Sequence, residues 1–95
     1  MKQLHNKNQE VFNLIARIPK GKVTTYGALA SKINTSARAV GTILHSNPDP
    51  QRYPCHRVVR SDGSLATGYA FGGKQEQMRK LKEEGVVFKH GRVVL

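Results

Sequence analysis

Apolar residues in the first part of the chain recur at helical spacing. Val11, Leu14, Ile15 and Ile18 stand at i, i+3, i+4 and i+7, which predicts a helix over residues 8–17 with one buried stripe. Pro19 ends it, and Pro19-Lys20-Gly21-Lys22 reads as a basic turn. Val23-Thr24-Thr25 is short and β-branched. Thr25 suits the N-cap of a second helix over residues 26–33, with Leu29 and Ile33 facing inward. Asn34-Thr35-Ser36 makes a polar turn and, in Ser36, a second cap. The third helix follows over residues 37–45, with Val40, Ile43 and Leu44 as its apolar face. Two short helices across a tight polar turn form a helix-turn-helix pattern. Ala37, Ala39 and Gly41 are small, so the second of the pair can lie close against another surface.

Beyond residue 45 the pattern shortens. Asn47-Pro48-Asp49-Pro50 predicts a rigid turn. Residues 57–61 and 64–67 flank Asp62-Gly63, a strong two-residue hairpin signal, and a hairpin placed after a helix-turn-helix is a wing. Residues 68–73 read as a loop. Residues 74–84 read as a last helix stopped by Gly85, and residues 86–89 and 92–95 as a terminal hairpin around His90-Gly91. The predicted fold is mainly α with small β: a winged helix-turn-helix-like domain with short hairpins, one domain over residues 1–95.

Charge changes the picture next. Lys and Arg number 16 against 6 Asp and Glu, a formal charge of +10. Solubility does not need so one-sided a balance, so a polyanion, nucleic acid first, is the implied partner. No segment joins a basic face to a broad apolar one, which argues against a membrane surface, and no apolar run is long enough to span a bilayer. The N-terminal residues lack the apolar stretch of a signal peptide.

One cysteine is present, in Pro54-Cys55-His56-Arg57-Val58-Val59. It forms no intrachain disulfide and supplies no multi-cysteine zinc site, and a free thiol fits a reducing cytoplasm. His5, His45 and His90 show no ligand spacing with one another or with Cys55, so no metal is expected. Cys55 is then either a buried inert thiol or a nucleophile, and the adjacent His56 favours the second, because an imidazole is the usual means of generating a thiolate. In a regular strand the two side chains would point to opposite faces; a turn or a bridging water would connect them.

Three further positions carry alternatives. Arg38 lies in the first turn of the third helix, where a cation opposes the dipole; it is a solvated surface arginine, or the helix end meets DNA. Glu83 and Glu84 sit at the opposite wrong end, just before Gly85; one is solvated, and the other can be held by a cation such as His56. Tyr26 opens a helix and is core filler or a hydroxyl donor toward a base or phosphate.

Taken together, the chain resembles the DNA-binding, C-terminal domain of O6-alkylguanine-DNA alkyltransferases, from about Asn8 to about Gly85. The resemblance rests on Ile18-Pro19-Lys20-Gly21-Lys22-Val23-Thr24-Thr25-Tyr26, Ala37-Arg38-Ala39-Val40-Gly41, Asn47-Pro48, Pro54-Cys55-His56-Arg57-Val58-Val59, the Gly68-Tyr69 loop and Glu84-Gly85, in that order. It implies flipping of an O6-alkylated guanine from double-stranded DNA and transfer of the alkyl group to a cysteine, with no cofactor. By resemblance Cys55 is the acceptor. His56 is its base through a water, Glu84 orients His56, and Tyr26 gives a proton toward the departing guanine. Arg38 fills the vacated stack, and Thr25, Ser36, Ala37, Arg57 and Asn47 join it on the DNA-binding side, Asn47 also holding the turn behind the active segment. Val58, Gly68 and Tyr69 line the base pocket.

Three features depart from the pattern. The resemblance covers the C-terminal domain alone, so the family's N-terminal domain is expected to be absent. Tyr69-Ala70-Phe71 stands where some members have a small hydroxyl residue. The segment from Leu81 to the terminal hairpin looks more like the alkyltransferase-like proteins, which bind alkylated guanine, typically carry tryptophan in place of the cysteine, and recruit nucleotide excision repair proteins. The resemblance thus implies a monomeric, cytoplasmic, single-turnover repair protein. A non-catalytic damage-recognition module and an ordinary winged-helix regulator are the two other readings.

Overall fold

The computed structural model describes residues 7–65, 69 and 71–95. Helix α1 (Lys7–Ile15) buries Val11 and Ile15 as the spacing requires, with Leu14 and Ile18 half-buried. Phe12, outside the predicted stripe, is buried too and stacks on Tyr53 at 5.1 Å between ring centroids. Strand β1 (Thr24–Thr25) leads into α2 (Tyr26–Lys32), and Thr25 accepts from the Ala28 amide at 3.0 Å. Asn34, in the left-handed region at φ 56°, turns the chain into α3 (Ala37–His45). Ser36 caps α3 by accepting from the Ala39 amide at 3.0 Å. The predicted helix-turn-helix is present, and α1, Val40 and Leu44 close its core.

Strand β2 (Val58–Val59) pairs in parallel with β1, Thr24 opposite Val58 and Thr25 opposite Val59. Successive strand residues face opposite ways. Val58 therefore joins the core of α1, α2 and α3, while Val59 joins Leu65, Leu81 and Val93 in a second core. Both valines are fully buried, so this two-residue strand is the wall between the halves.

The expected wing is described only at its turn. Asp62-Gly63 does turn the chain: the Gly63 amide donates to the Arg60 carbonyl at 2.8 Å and the Arg60 amide to the Ser64 carbonyl at 2.9 Å. No further antiparallel ladder pair is formed from it among the described residues. Residues 66–67 of the expected return strand lie outside the described residues. The turn also docks the C-terminus. The Val93 amide donates to the Gly63 carbonyl at 2.8 Å, and a Cβ at Gly63 (φ +84°) would stand 2.3 Å from the Val93 carbonyl oxygen, so only glycine fits.

Helix α4 (Gly73–Glu83) is capped at its C-terminus by Glu84; the Val86 amide then donates to the Leu81 carbonyl at 3.0 Å and stops the helix at Gly85, as expected. Strands β3 (Phe88–Lys89) and β4 (Arg92–Val93) form the predicted terminal hairpin. His90 and Gly91 both take positive φ, the signature of a type I′ turn. Among the described residues no helix is long and apolar enough to cross a membrane.

Candidate active site and nucleic-acid interface

A turn over residues 49–53, closed by the Tyr53 amide donating to the Asp49 carbonyl at 2.8 Å, leads to Pro54, and Cys55–Arg57 forms a single 3-10 turn rather than a strand. The turn is held from behind. Asn47, 7 % exposed, donates to the Tyr53 carbonyl at 2.8 Å and accepts from the Asp49 amide at 2.9 Å, while the Cys55 amide donates to the same Tyr53 carbonyl at 2.7 Å. From α4, the buried Gln77 Nε2 donates to the carbonyls of His56 and Val58, both at 3.0 Å. Four backbone groups around the cysteine are thus fixed by two buried amides, which leaves the side chains of Cys55 and His56 in set directions.

Cys55 lines a cavity of about 460 Å³ together with Tyr26, Ala37, Arg38, Arg60 and Tyr69. Burial pushes its thiol above the ordinary cysteine value, and the Asn47 side chain and Lys80 pull it back only in part. Tyr26 is likewise pushed up, first by burial and then by the neighbouring Cys55, so its hydroxyl keeps its proton at neutral pH. Arg38 is exposed at the cavity edge, where its guanidinium has no ion pair or hydrogen bond among the described residues.

His56 points elsewhere. Its Nε2 lies 3.0 Å from Glu84 Oε2. Glu84 is also clamped by Arg57, whose Nε and Nη2 donate to Oε1 and Oε2 at 2.9 and 2.8 Å. Arg57 above all holds the Glu84 carboxyl down to about 2. An ionised carboxylate only accepts, so Nε2 carries the proton in the neutral ring and the free lone pair is on Nδ1. Burial lowers the His56 pKa against the opposing pull of Glu84, which keeps the imidazole neutral and able to accept at neutral pH. No hydrogen bond joins the Cys55 thiol to the His56 ring among the described residues.

A capped helix-turn-helix thus borders a cavity with a thiol at its wall. The model of the 6-O-methylguanine DNA methyltransferase DNA-binding domain matches residues 6–86. The chain belongs to this family. It is 47% identical over 73 residues to the methylated-DNA–protein-cysteine methyltransferase of Thermococcus kodakarensis, a match covering 77% of this chain and 40% of that protein. It is 41% identical over 87 residues to the bifunctional methyltransferase/endonuclease of Picrophilus torridus, covering 90% and 28%. The chain therefore spans less than half the length of these two curated relatives. Among solved structures it is similar to S. pombe Atl1 in complex with damaged DNA containing O6-carboxymethylguanine, at TM-score 0.80 and 30% identity, over 99% of this chain and 92% of that one. The methyltransferase family is one of DNA-repair alkyltransferases and holds both catalytic and alkyltransferase-like members.

Against this frame the expected site divides. Cys55, Tyr26, Arg38, Ala37 and Tyr69 meet at one cavity. His56 and Glu84 meet each other. Thr25 and Ser36 cap α2 and α3. Three expectations are corrected. Arg57, expected to face DNA, turns its guanidinium inward to Glu84 and donates through Nη1 to the Ile18 carbonyl at 2.7 Å, so it has no fork left for a phosphate. Asn47 is buried with both ends of its amide engaged, which fits the turn-holding part of its expected role and not a DNA contact. Val58 is fully buried in the core and is not among the residues that line the cavity. Gly68 lies outside the described residues.

Sequence reasoning missed three residues. Arg60 lines the cavity. Lys80 donates to Tyr69 Oη at 2.8 Å. Gln77 clamps the turn; its only sequence signal is an amide on the inward face of α4, in register with Leu81.

Proposed function

We propose that this chain repairs O6-alkylguanine in duplex DNA by moving the alkyl group to Cys55, once per molecule. The observation that carries this reading is the shared cavity: the thiol, the Tyr26 hydroxyl and the leading edge of α3 with Arg38 border one space. An inert core cysteine would have no reason to open onto the edge of a recognition helix. α3 docks on DNA through its N-terminal end, the damaged base turns into the cavity, and Arg38 takes its place in the stack.

The chemistry follows from the protonation states. The thiol is protonated at rest, so its proton leaves during attack, through water to Nδ1 of the neutral His56. The sulfur electron pair forms the S–C bond and the C–O6 bond breaks. Its electrons pass to the purine, which takes a proton from Tyr26 and departs as guanine. The thioether has no second thiol to resolve it, so the protein is spent. No cofactor takes part. The repair protein acts as a cytoplasmic monomer.

Intact-protein mass spectrometry after incubation with an O6-methylguanine oligonucleotide tests this. One methyl group on a peptide containing Cys55, lost in Cys55→Ser with binding retained, is the expected result; turnover beyond one equivalent would exclude it. One observation favours a second reading. The match to Atl1 spans nearly the whole of both chains, including the terminal hairpin. In that reading the chain recognises alkylated guanine without transfer and hands it to nucleotide excision repair proteins. Preferential binding of alkylated duplex with no mass added to Cys55 would select it.

A further inference from the structure

Cys55 and His56 are neighbours in the chain and open onto different spaces. Cys55 lines the base cavity. His56 and Glu84 line a second cavity of about 340 Å³, bordered by Gln51, Pro54, Arg79 and Lys80. Among the described residues the two cavities share no lining side chain, and no residue of α3 lines the second. The partition consists of the Cys55–Arg57 turn and of Lys80, which borders the second cavity while its Nζ holds Tyr69 on the wall of the first. His56 and Glu84 keep 10% and 13% of their side chains accessible.

We propose that the second cavity is the proton port of the site, through which the thiol proton leaves by way of His56 and through which water and small neutral bases reach His56 while DNA fills the first. The proposal rests on the alkyl-transfer reading. A duplex docked on α3 with a base in the first cavity closes that side to bulk water, and the second cavity lies clear of α3. The proton arriving at Nδ1 makes an imidazolium. The proton on Nε2 is then released beside Glu84 into the port, and Tyr26 regains its own proton on the other side when DNA departs, so transfer is neutral overall. The charged groups around the ring suit release. Arg57 and Lys80 disfavour the imidazolium, and burial disfavours it more; Glu84 alone favours it. Because Arg57 keeps Glu84 ionised, the carboxylate orients the ring without retaining the proton.

The test has two arms. In Cys55→Ser bound to O6-methylguanine duplex, water exchange of the His56 Nε2 proton is read by NMR. It should stay within a few-fold of the free protein, and Gln51→Trp, a change at an exposed rim position, should slow it. In His56→Gly preloaded with saturating duplex, added imidazole should restore single-turnover transfer in proportion to its free base, and Gln51→Trp should remove that rescue. Exchange arrested by DNA, or rescue only when imidazole precedes DNA, or none at all with DNA affinity intact, overturns the port. A wild type that takes up no methyl group would instead sink the transfer reading, and the exchange arm would still decide whether the port is open.

Discussion

Helices α3 and α4 each carry a charge at the end where the dipole disfavours it. At the start of α3 the charge is Arg38; at the end of α4 it is Glu84. Their surroundings differ completely. Glu84 is nearly buried and held by three hydrogen bonds from Arg57 and His56. Arg38 is exposed, and its guanidinium has no partner among the described residues. A misplaced charge with partners inside the molecule is a structural keystone. One without partners is left for something outside the molecule, and here it stands on the rim of the cavity that contains the thiol.

The comparison breaks most sharply at Glu84. Glu84→Ala strands the Arg57 guanidinium in a site where its side chain is only 15% exposed. The expected loss is about 3 kcal/mol of unfolding free energy, read by urea denaturation. A loss within that of an ordinary surface change would make Glu84 another solvated helix-end carboxylate. The sign of the pH dependence follows. Arg57 depresses the folded-state carboxyl to about 2, so its contribution is complete above the ordinary glutamate value of about 4.3 and is lost as pH falls from there toward the folded value. His56 is also depressed in the fold. Being a base, it costs stability as pH falls below its ordinary value of about 6.5, because the unfolded chain takes up the proton first. Acid unfolding curves of Glu84→Gln should keep the second limb and lose the first.

Arg38→Ala should do the reverse. Stability should change by no more than about 0.5 kcal/mol, while transfer from damaged duplex falls by about tenfold, or roughly 1.4 kcal/mol in the barrier. Binding to undamaged duplex, carried by salt-dependent phosphate contacts, should fall less. Equal loss in both assays would reduce Arg38 to one phosphate contact among many. The smallest effect sharpens the same end of α3. Ser36→Ala removes the cap and should cost about 1 kcal/mol in thermal unfolding; a neutral result would mean that packing alone holds that helix end.

Much of the helical part was legible because its signals are local. Apolar spacing, Thr25, Ser36 and Gly85 each act within a few residues, and the predicted boundaries of α2, α3 and α4 fall within a residue of those observed. The dipole conflict at Glu84 likewise pointed to an internal cation. What failed was long-range. A two-residue parallel pairing between Thr24–Thr25 and Val58–Val59 leaves no periodic trace, so spacing alone does not place Val58-Val59 beside β1. Arg57 looked like a DNA contact because a basic residue beside a nucleophile says nothing about which way it turns. Lys80 and Gln77 reach the site from α4, and helical spacing shows a buried face without showing what it touches.

The short parallel pairing has a consequence for how the molecule becomes competent. The α2–α3 unit forms from contacts between near neighbours in the chain, whereas β1 and β2 meet only after that whole unit has been looped out, an event with a larger entropic cost. Tyr26 follows β1 directly and Cys55 precedes β2 by a single turn, so the hydroxyl and the thiol come into register only when that loop closes. During refolding, affinity for plain duplex should return before the ability to accept an alkyl group. A chain that has reached the reactive state has therefore already finished folding.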